Sequence, residues 1–198
     1  MSDIRVIKNF TSYSDLKIMN KWTLDNYQKE FFNIAPMHPD VNRKVPTRFT
    51  TRRCMEKGTD HLFDYPSLCY EIQNRIKERF KLDRIAPIGK NGIANGIGME
   101  EDMIVSHSDP QWIEETFTVH FNLISQKPLR GGVTIIENKS YDIDEGDLLI
   151  YNVQSLKHRV NKVIGDIPRI IWVFGFCVTP KQLSRIFNIF NIKRLLNN

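Results

Sequence analysis

FTVHFNLISQKPLRGGVTIIENKSYDIDEGDLLIYN, residues 117–152, is a series of short apolar stretches cut by Gly-Gly, Asn-Lys and Glu-Gly-Asp punctuation. Short apolar runs bounded by turn residues at this spacing are the pattern of an all-β sandwich or barrel. The same texture extends from Pro87 to Val178 and predicts strands at 102–106, 116–124, 132–137, 139–143, 147–151, 158–163 and 169–178. The glycine-rich GKNGIANGIG at 89–98 is no phosphate loop, because no Lys-Ser/Thr pair follows and no helical period opens there. Asn91-Gly92 and Asn95-Gly96 read instead as hairpin turns.

Helices flank this β-rich centre. Ser14 is the predicted cap of a first helix whose Leu16, Met19 and Trp22 recur at three-residue spacing. Pro66 suits a first helical turn, and Leu68, Ile72, Ile76 and Phe80 then recur every fourth residue. Thr179 and Pro180 read as the cap and first turn of a terminal helix with Leu183, Ile186, Phe187 and Phe190 on one face. Between the first two helices, residues 33–64 hold three prolines and no sustained period, so they read as loops. Arg43, Lys44, Arg48, Arg52, Arg53 and Lys57 concentrate there, either as a solvated charged segment or as a rim that recruits an anionic substrate. The expected organisation is a single domain: a helical and loop part at 1–86, a β core at 87–178 and a C-terminal helix at 179–198.

Composition narrows the function classes. The 198 residues, 41% apolar, suffice for a sizeable core. A net charge of +5 falls short of the density needed to neutralise many phosphates, so nucleic acid is a disfavoured partner and small anionic molecules remain open. Three cysteines at wide spacing, with no Cys-x-x-Cys, argue against a disulfide framework or a thiolate zinc site and fit a cytoplasmic setting. No segment approaches the roughly 20 apolar residues of a membrane span.

The chemistry-bearing residues are few. His107 and Asp109 in VSHSDPQW are two apart, which on a strand puts both side chains on one face. A third ligand must come from His38, His61, His120 or His158. His158 opens one strand and Arg169 the next, across a turn holding Gly165 and Pro168, and antiparallel neighbours of that kind can share a pocket. Two neutral imidazoles and a carboxylate on one face of an octahedral ion leave three positions open, which suits ferrous iron that must bind a co-substrate and oxygen. Arg169 offers the planar fork that matches a carboxylate.

HSD at 107–109, FTVHFNLISQKPLRGGVTII at 117–136, IDEGDLLIYN at 143–152, and His158 followed by Arg169 together resemble the iron(II)/2-oxoglutarate-dependent dioxygenases, nearest the prolyl-4-hydroxylase-like branch. The resemblance spans residues 95–178. It implies a double-stranded β-helix of the jelly-roll or cupin-like kind, mainly β with flanking helices packed on one sheet. It also implies iron held by His107, Asp109 and His158, and 2-oxoglutarate held through its far carboxylate by Arg169, helped by Thr118 or His120. His120 stands where the family often has a tyrosine, and a core role for it is equally open. The activity implied is hydroxylation of an unactivated C–H of a peptide residue or small molecule, using O2 and releasing succinate and CO2, with ascorbate as an admissible accessory reductant. Asp109 keeps the carboxylate that related halogenases lack. The family's aromatic upstream of the His-x-Asp motif is replaced by Ile104, Val105 and Ser106, which puts a prolyl substrate in question. The competing readings are a nucleobase-oxidising member of the same superfamily and a non-catalytic cupin-like metal or small-molecule binder; the chain lacks the His-x-His of cupins.

Overall fold

A computed structural model of the chain describes residues 3–29, 32–34, 52–54 and 63–187. His38, His61, most of the basic segment at 43–57 and everything beyond Phe187 lie outside the described residues. The elements in chain order are β1 (Ile4–Ile7), α1 (Tyr13–Asn26), β2 (Asn33–Ile34), β3 (Arg52–Cys54), α2 (Ser67–Phe80), β4 (Ile93–Gly98), β5 (Ile104–His107) and β6 (Phe117–Gln126). They continue with β7 (Arg130–Gly131), β8 (Thr134–Ile136), β9 (Lys139–Tyr141), β10 (Leu148–Asn152), β11 (His158–Val160), β12 (Val163–Ile164), β13 (Arg169–Val178) and α3 (Pro180–Phe187).

Two antiparallel sheets carry the fold. The larger has the order β1-β10-β6-β13-β4-β3-β2, the smaller β5-β11-β8-β9, and β12 pairs with β7 in a separate ribbon. This is the double-stranded β-helix expected from the sequence. Alternation along the central strands decides what each face does. On β6 and β13, Val119, Phe121 and Leu123 stand opposite Phe176, Phe174 and Trp172. These six join Leu16, Met19, Ile72, Ile76, Leu183 and Ile186 of the three helices in one buried cluster. Full burial of such a side chain contributes about 1.5–3 kcal/mol, so this helix-facing layer is the main source of hydrophobic stability. The intervening residues, His120 and Asn122 among them, face the smaller sheet. A second cluster, built around Ile124, Ile136, Leu149 and Ile171, fills the space between the sheets.

Several local expectations are corrected. The cap of α1 is Ser12, whose hydroxyl accepts from the Asp15 amide at 3.2 Å; Ser14 already lies inside the helix and bonds the Ser12 hydroxyl at 2.8 Å. Asn91-Gly92 is a turn, with φ of 54° and 75°, but Asn95-Gly96 is strand interior, opposite Trp172 and Ile171. The hairpin turn between β8 and β9 is Glu137-Asn138, both left-handed, one residue before the Asn-Lys pair. The stretch before residue 87 is not only helix and loop, because β1, β2 and β3 all add to the larger sheet. Thr179 caps α3 as expected: its hydroxyl accepts from the Gln182 amide at 3.3 Å while Gln182 Oε1 accepts from the Thr179 amide at 2.9 Å, a reciprocal capping box. Among the described residues no helix is long and apolar enough to cross a membrane.

Candidate metal centre and its cavity

The two sheets enclose a cavity of about 110 Å³ lined by His107, Asp109, His120, His158 and Arg169 with apolar neighbours. His107 ends β5 and His158 opens β11, and the two are direct partners in the register of that pair. Their rings lie 4.3 Å apart. Asp109 follows just past the strand end, where its amide donates to the Val153 carbonyl at 2.9 Å. Ser108 between them is exposed. The nitrogen and carboxylate oxygen atoms that His107, Asp109 and His158 can offer all lie within 4.8 Å of one another.

Both imidazoles are held in the form a metal requires. His107 Nδ1 sits 2.8 Å from the Val105 carbonyl and His158 Nδ1 3.1 Å from the Leu156 carbonyl. A carbonyl only accepts, so each Nδ1 carries a proton, which leaves Nε2 as the nitrogen each ring can offer to a metal. Burial, reinforced by the neighbouring His107, pushes the His158 pKa down to about 4, which keeps that ring uncharged near neutrality. A neutral His₂-carboxylate set is the donor chemistry of a divalent transition metal, and the residues fit ferrous iron.

The opposite wall is cationic. Arg169, 4% exposed, is the one Lys or Arg among the described residues lining the cavity. Its Nη2 donates to Thr134 Oγ1 at 3.2 Å. Its stem runs past Gly132, where a Cβ would come within 3.0 Å of Arg169 Cδ and 2.8 Å of Pro128 Cγ. The Gly-Gly turn therefore leaves room for the guanidinium to reach inward. His158 and Arg169 do meet at one pocket, but not as paired neighbours: β11 belongs to the smaller sheet, β13 to the larger, and β12 between them pairs with β7.

Thr118, expected beside Arg169, is a correction. It does not line the cavity, because its hydroxyl is committed to the Pro110 carbonyl at 3.1 Å and its amide to Gln154 Oε1 at 3.2 Å. Thr134 takes the place beside the guanidinium. The sequence carried a signal for it, since β8 opens directly after the Gly-Gly turn that accommodates Arg169. Asn122 and Trp112 also line the cavity without having been singled out for it. Asn122 Nδ2 donates to the Tyr151 hydroxyl at 3.0 Å, and Tyr151 in turn lies edge-on to His158 with centroids 5.2 Å apart. Trp112 is 44% exposed, three residues beyond Asp109. Trp172 belongs to the helix-facing cluster, packed edge-on to Tyr65 and tilted against Trp22, and does not line the cavity.

No protein-family model matches the chain, and no curated sequence does. Solved structures share its fold. The viral collagen prolyl hydroxylase of Paramecium bursaria Chlorella virus-1, solved as a 2-oxoglutarate complex, superposes with a TM-score of 0.60 at 10% identity, covering 90% of this chain and 96% of that one. A prolyl hydroxylase from Trichoplax adhaerens, in complex with a hypoxia-inducible-factor oxygen degradation domain peptide fragment, gives 0.61 at 15% identity, covering 93% and 87%. HygX of Streptomyces hygroscopicus, with nickel and 2-oxoglutarate bound, gives 0.58 at 10% identity, covering 90% and 84%. At these identities the likeness establishes the fold, the double-stranded β-helix of the prolyl-hydroxylase-like oxygenases.

Proposed function

We propose that the protein is an iron(II)- and 2-oxoglutarate-dependent dioxygenase that hydroxylates an unactivated C–H of a peptide residue or small molecule. The observation that carries this reading is a single cavity with two unlike ends: two imidazoles and a carboxylate with converging donor atoms at one, a buried guanidinium at the other. His107, Asp109 and His158 would hold the iron, and Arg169, oriented by Thr134, would pair with the far carboxylate of 2-oxoglutarate. When bound, the pair supplies oxidative decarboxylation to succinate and CO2, with one atom of O2 entering succinate and the other the substrate as hydroxyl. The chain's own task is to orient and to exclude water, which the closely packed inter-sheet cluster and Ile88, Ile104 and Val160 of the cavity wall serve. A peptide substrate is supported by the peptide-bound Trichoplax structure and by the exposed Trp112 on the cavity wall, an apolar surface for an incoming side chain. Cys69 and Cys177 are free and buried thiols, which supports a cytoplasmic setting.

The test is anaerobic titration with Fe(II) and 2-oxoglutarate. A weak visible charge-transfer band is expected, together with its loss in His107→Ala, Asp109→Ala and His158→Ala. A band that persists in all three variants rejects the assignment.

A further inference from the structure

The Asp109 carboxylate lies between two imidazoles. Its Oδ1 is 3.5 Å from His107 Nε2, and its Oδ2 is 3.5 Å from His120 Nε2. The first imidazole stands on the smaller sheet beside His158; the second stands on β6 of the larger sheet, and is 7% exposed. One carboxylate oxygen thus faces the metal-ligand side and the other faces a histidine that comes from the opposite wall.

A carboxylate that gives one oxygen to an ion keeps its other oxygen as an acceptor, and in a buried site that oxygen needs a donor to fix its orientation. His120 is placed for this. In the register of the larger sheet it stands between Tyr151 and Gly175. Gly175 carries no side chain, and Ile88 occupies the space above it, so close that a Cβ there would lie 2.6 Å from Ile88 Cδ1. The ring is therefore set among closely packed neighbours. Direct ligation is disfavoured by reach, since the group whose donor atoms all fall within 4.8 Å of one another contains His107, Asp109 and His158 but not His120.

We infer that His120 is a positioning residue for the metal centre: it holds Asp109 Oδ2 and thereby turns Oδ1 toward the ion, and it does not bind 2-oxoglutarate. This rests on the metal-site reading proposed above. Cobalt(II) is the probe, titrated calorimetrically into metal-stripped protein, with 2-oxoglutarate titrated afterwards into the cobalt-saturated form. His120→Ala is expected to weaken Co(II) about 10- to 100-fold, the usual effect of losing such an outer partner. His120→Gln, which keeps an N–H donor at a similar reach, is expected to recover most of that loss. 2-Oxoglutarate affinity should stay within about twofold, and the Co(II) absorption intensity, which reports ligand number, should be unchanged. In an Asp109→Ala background His120→Ala should cost nothing further, because residues acting through one another are not additive.

A Co(II) affinity untouched by His120→Ala overturns the inference, as does a loss equally large in the Asp109→Ala background. Intact Co(II) affinity with weakened 2-oxoglutarate would assign His120 to the co-substrate, and a changed absorption intensity would make it a fourth ligand; either refutes the positioning role. Failure of the parent protein to bind Co(II) refutes the metal site itself, which separates the two conclusions.

Discussion

Replacing Arg169 with methionine removes the guanidinium while keeping most of the stem that packs beside Gly132. The side chain is 4% exposed and lines the same cavity as the candidate metal ligands, so its pairing with a bound carboxylate takes place largely out of water. A hydrogen bond to a charged group contributes about 1.5–3 kcal/mol, which at about 1.4 kcal/mol per decade is roughly a 10- to 150-fold loss of 2-oxoglutarate affinity. Arg169→Lys should fall between the two, since an ammonium keeps the charge but not the planar fork. Thr134→Val removes only the neutral partner at 3.2 Å, about 0.5–1.5 kcal/mol or roughly 2- to 12-fold. The assay is calorimetric titration of 2-oxoglutarate into cobalt-saturated protein, with Co(II) affinity measured separately. The reasoning fails if Arg169→Met leaves 2-oxoglutarate affinity within about threefold of the parent, or if Co(II) affinity falls in step with it.

Other consequences are independent of that pair. Gly132→Ala places a Cβ against Pro128 and the Arg169 stem at a φ of +62°, so it should destabilise the fold by about 1–3 kcal/mol and weaken 2-oxoglutarate together, read by urea unfolding and calorimetry. Phe121→Ala, in the helix-facing cluster, should cost about 3–5 kcal/mol of stability in the same urea assay, while a folded fraction kept at low temperature retains Co(II) binding. Ser12→Ala should lower stability by about 0.5–2 kcal/mol and Ser14→Ala by distinctly less, because only Ser12 caps α1; equal effects in thermal melts would contradict the assigned cap. Saturating Co(II) should raise the melting temperature of the parent and not of His158→Ala, since a ligand that binds only the folded state stabilises it by mass action.

What the sequence made legible follows from how local each feature is. The strands from 116 to 178 are bounded by turn residues that declare themselves, and the hairpin at Glu137-Asn138 was misplaced by a single residue. His107, Asp109, His158 and Arg169 stand out because each residue type is rare in an apolar strand context. Asn95-Gly96 misled because Asn-Gly is the strongest two-residue turn signal, whereas here β4 lies between β13 and β3, and that pairing overrides the local preference. The strand β1 is four residues long, and its place at the sheet edge is set by pairing with β10, well over a hundred positions away, and by the Arg5 guanidinium donating to the Ile186 carbonyl of α3 at 2.7 Å. Thr118 was expected beside Arg169, and Thr134 was not singled out, for the same reason: which threonine stands beside the guanidinium depends on the juxtaposition of two sheets, and no spacing within one strand records it. The contact of His120 with Asp109 likewise crosses from one sheet to the other.

That crossing has a wider consequence. The candidate metal ligands hang from the smaller sheet and the Arg169 stem from the larger, but the guanidinium crosses the cavity to Thr134 of β8, on the smaller sheet again. On that sheet His158 pairs with Ile136 and Val160 with Thr134, so the two ends of the cavity stand two residues apart along β8, about 7 Å at the usual rise of a strand. On the proposed reading the molecule is a caliper ruled by the strand repeat, whose opening admits a dicarboxylate of one chain length.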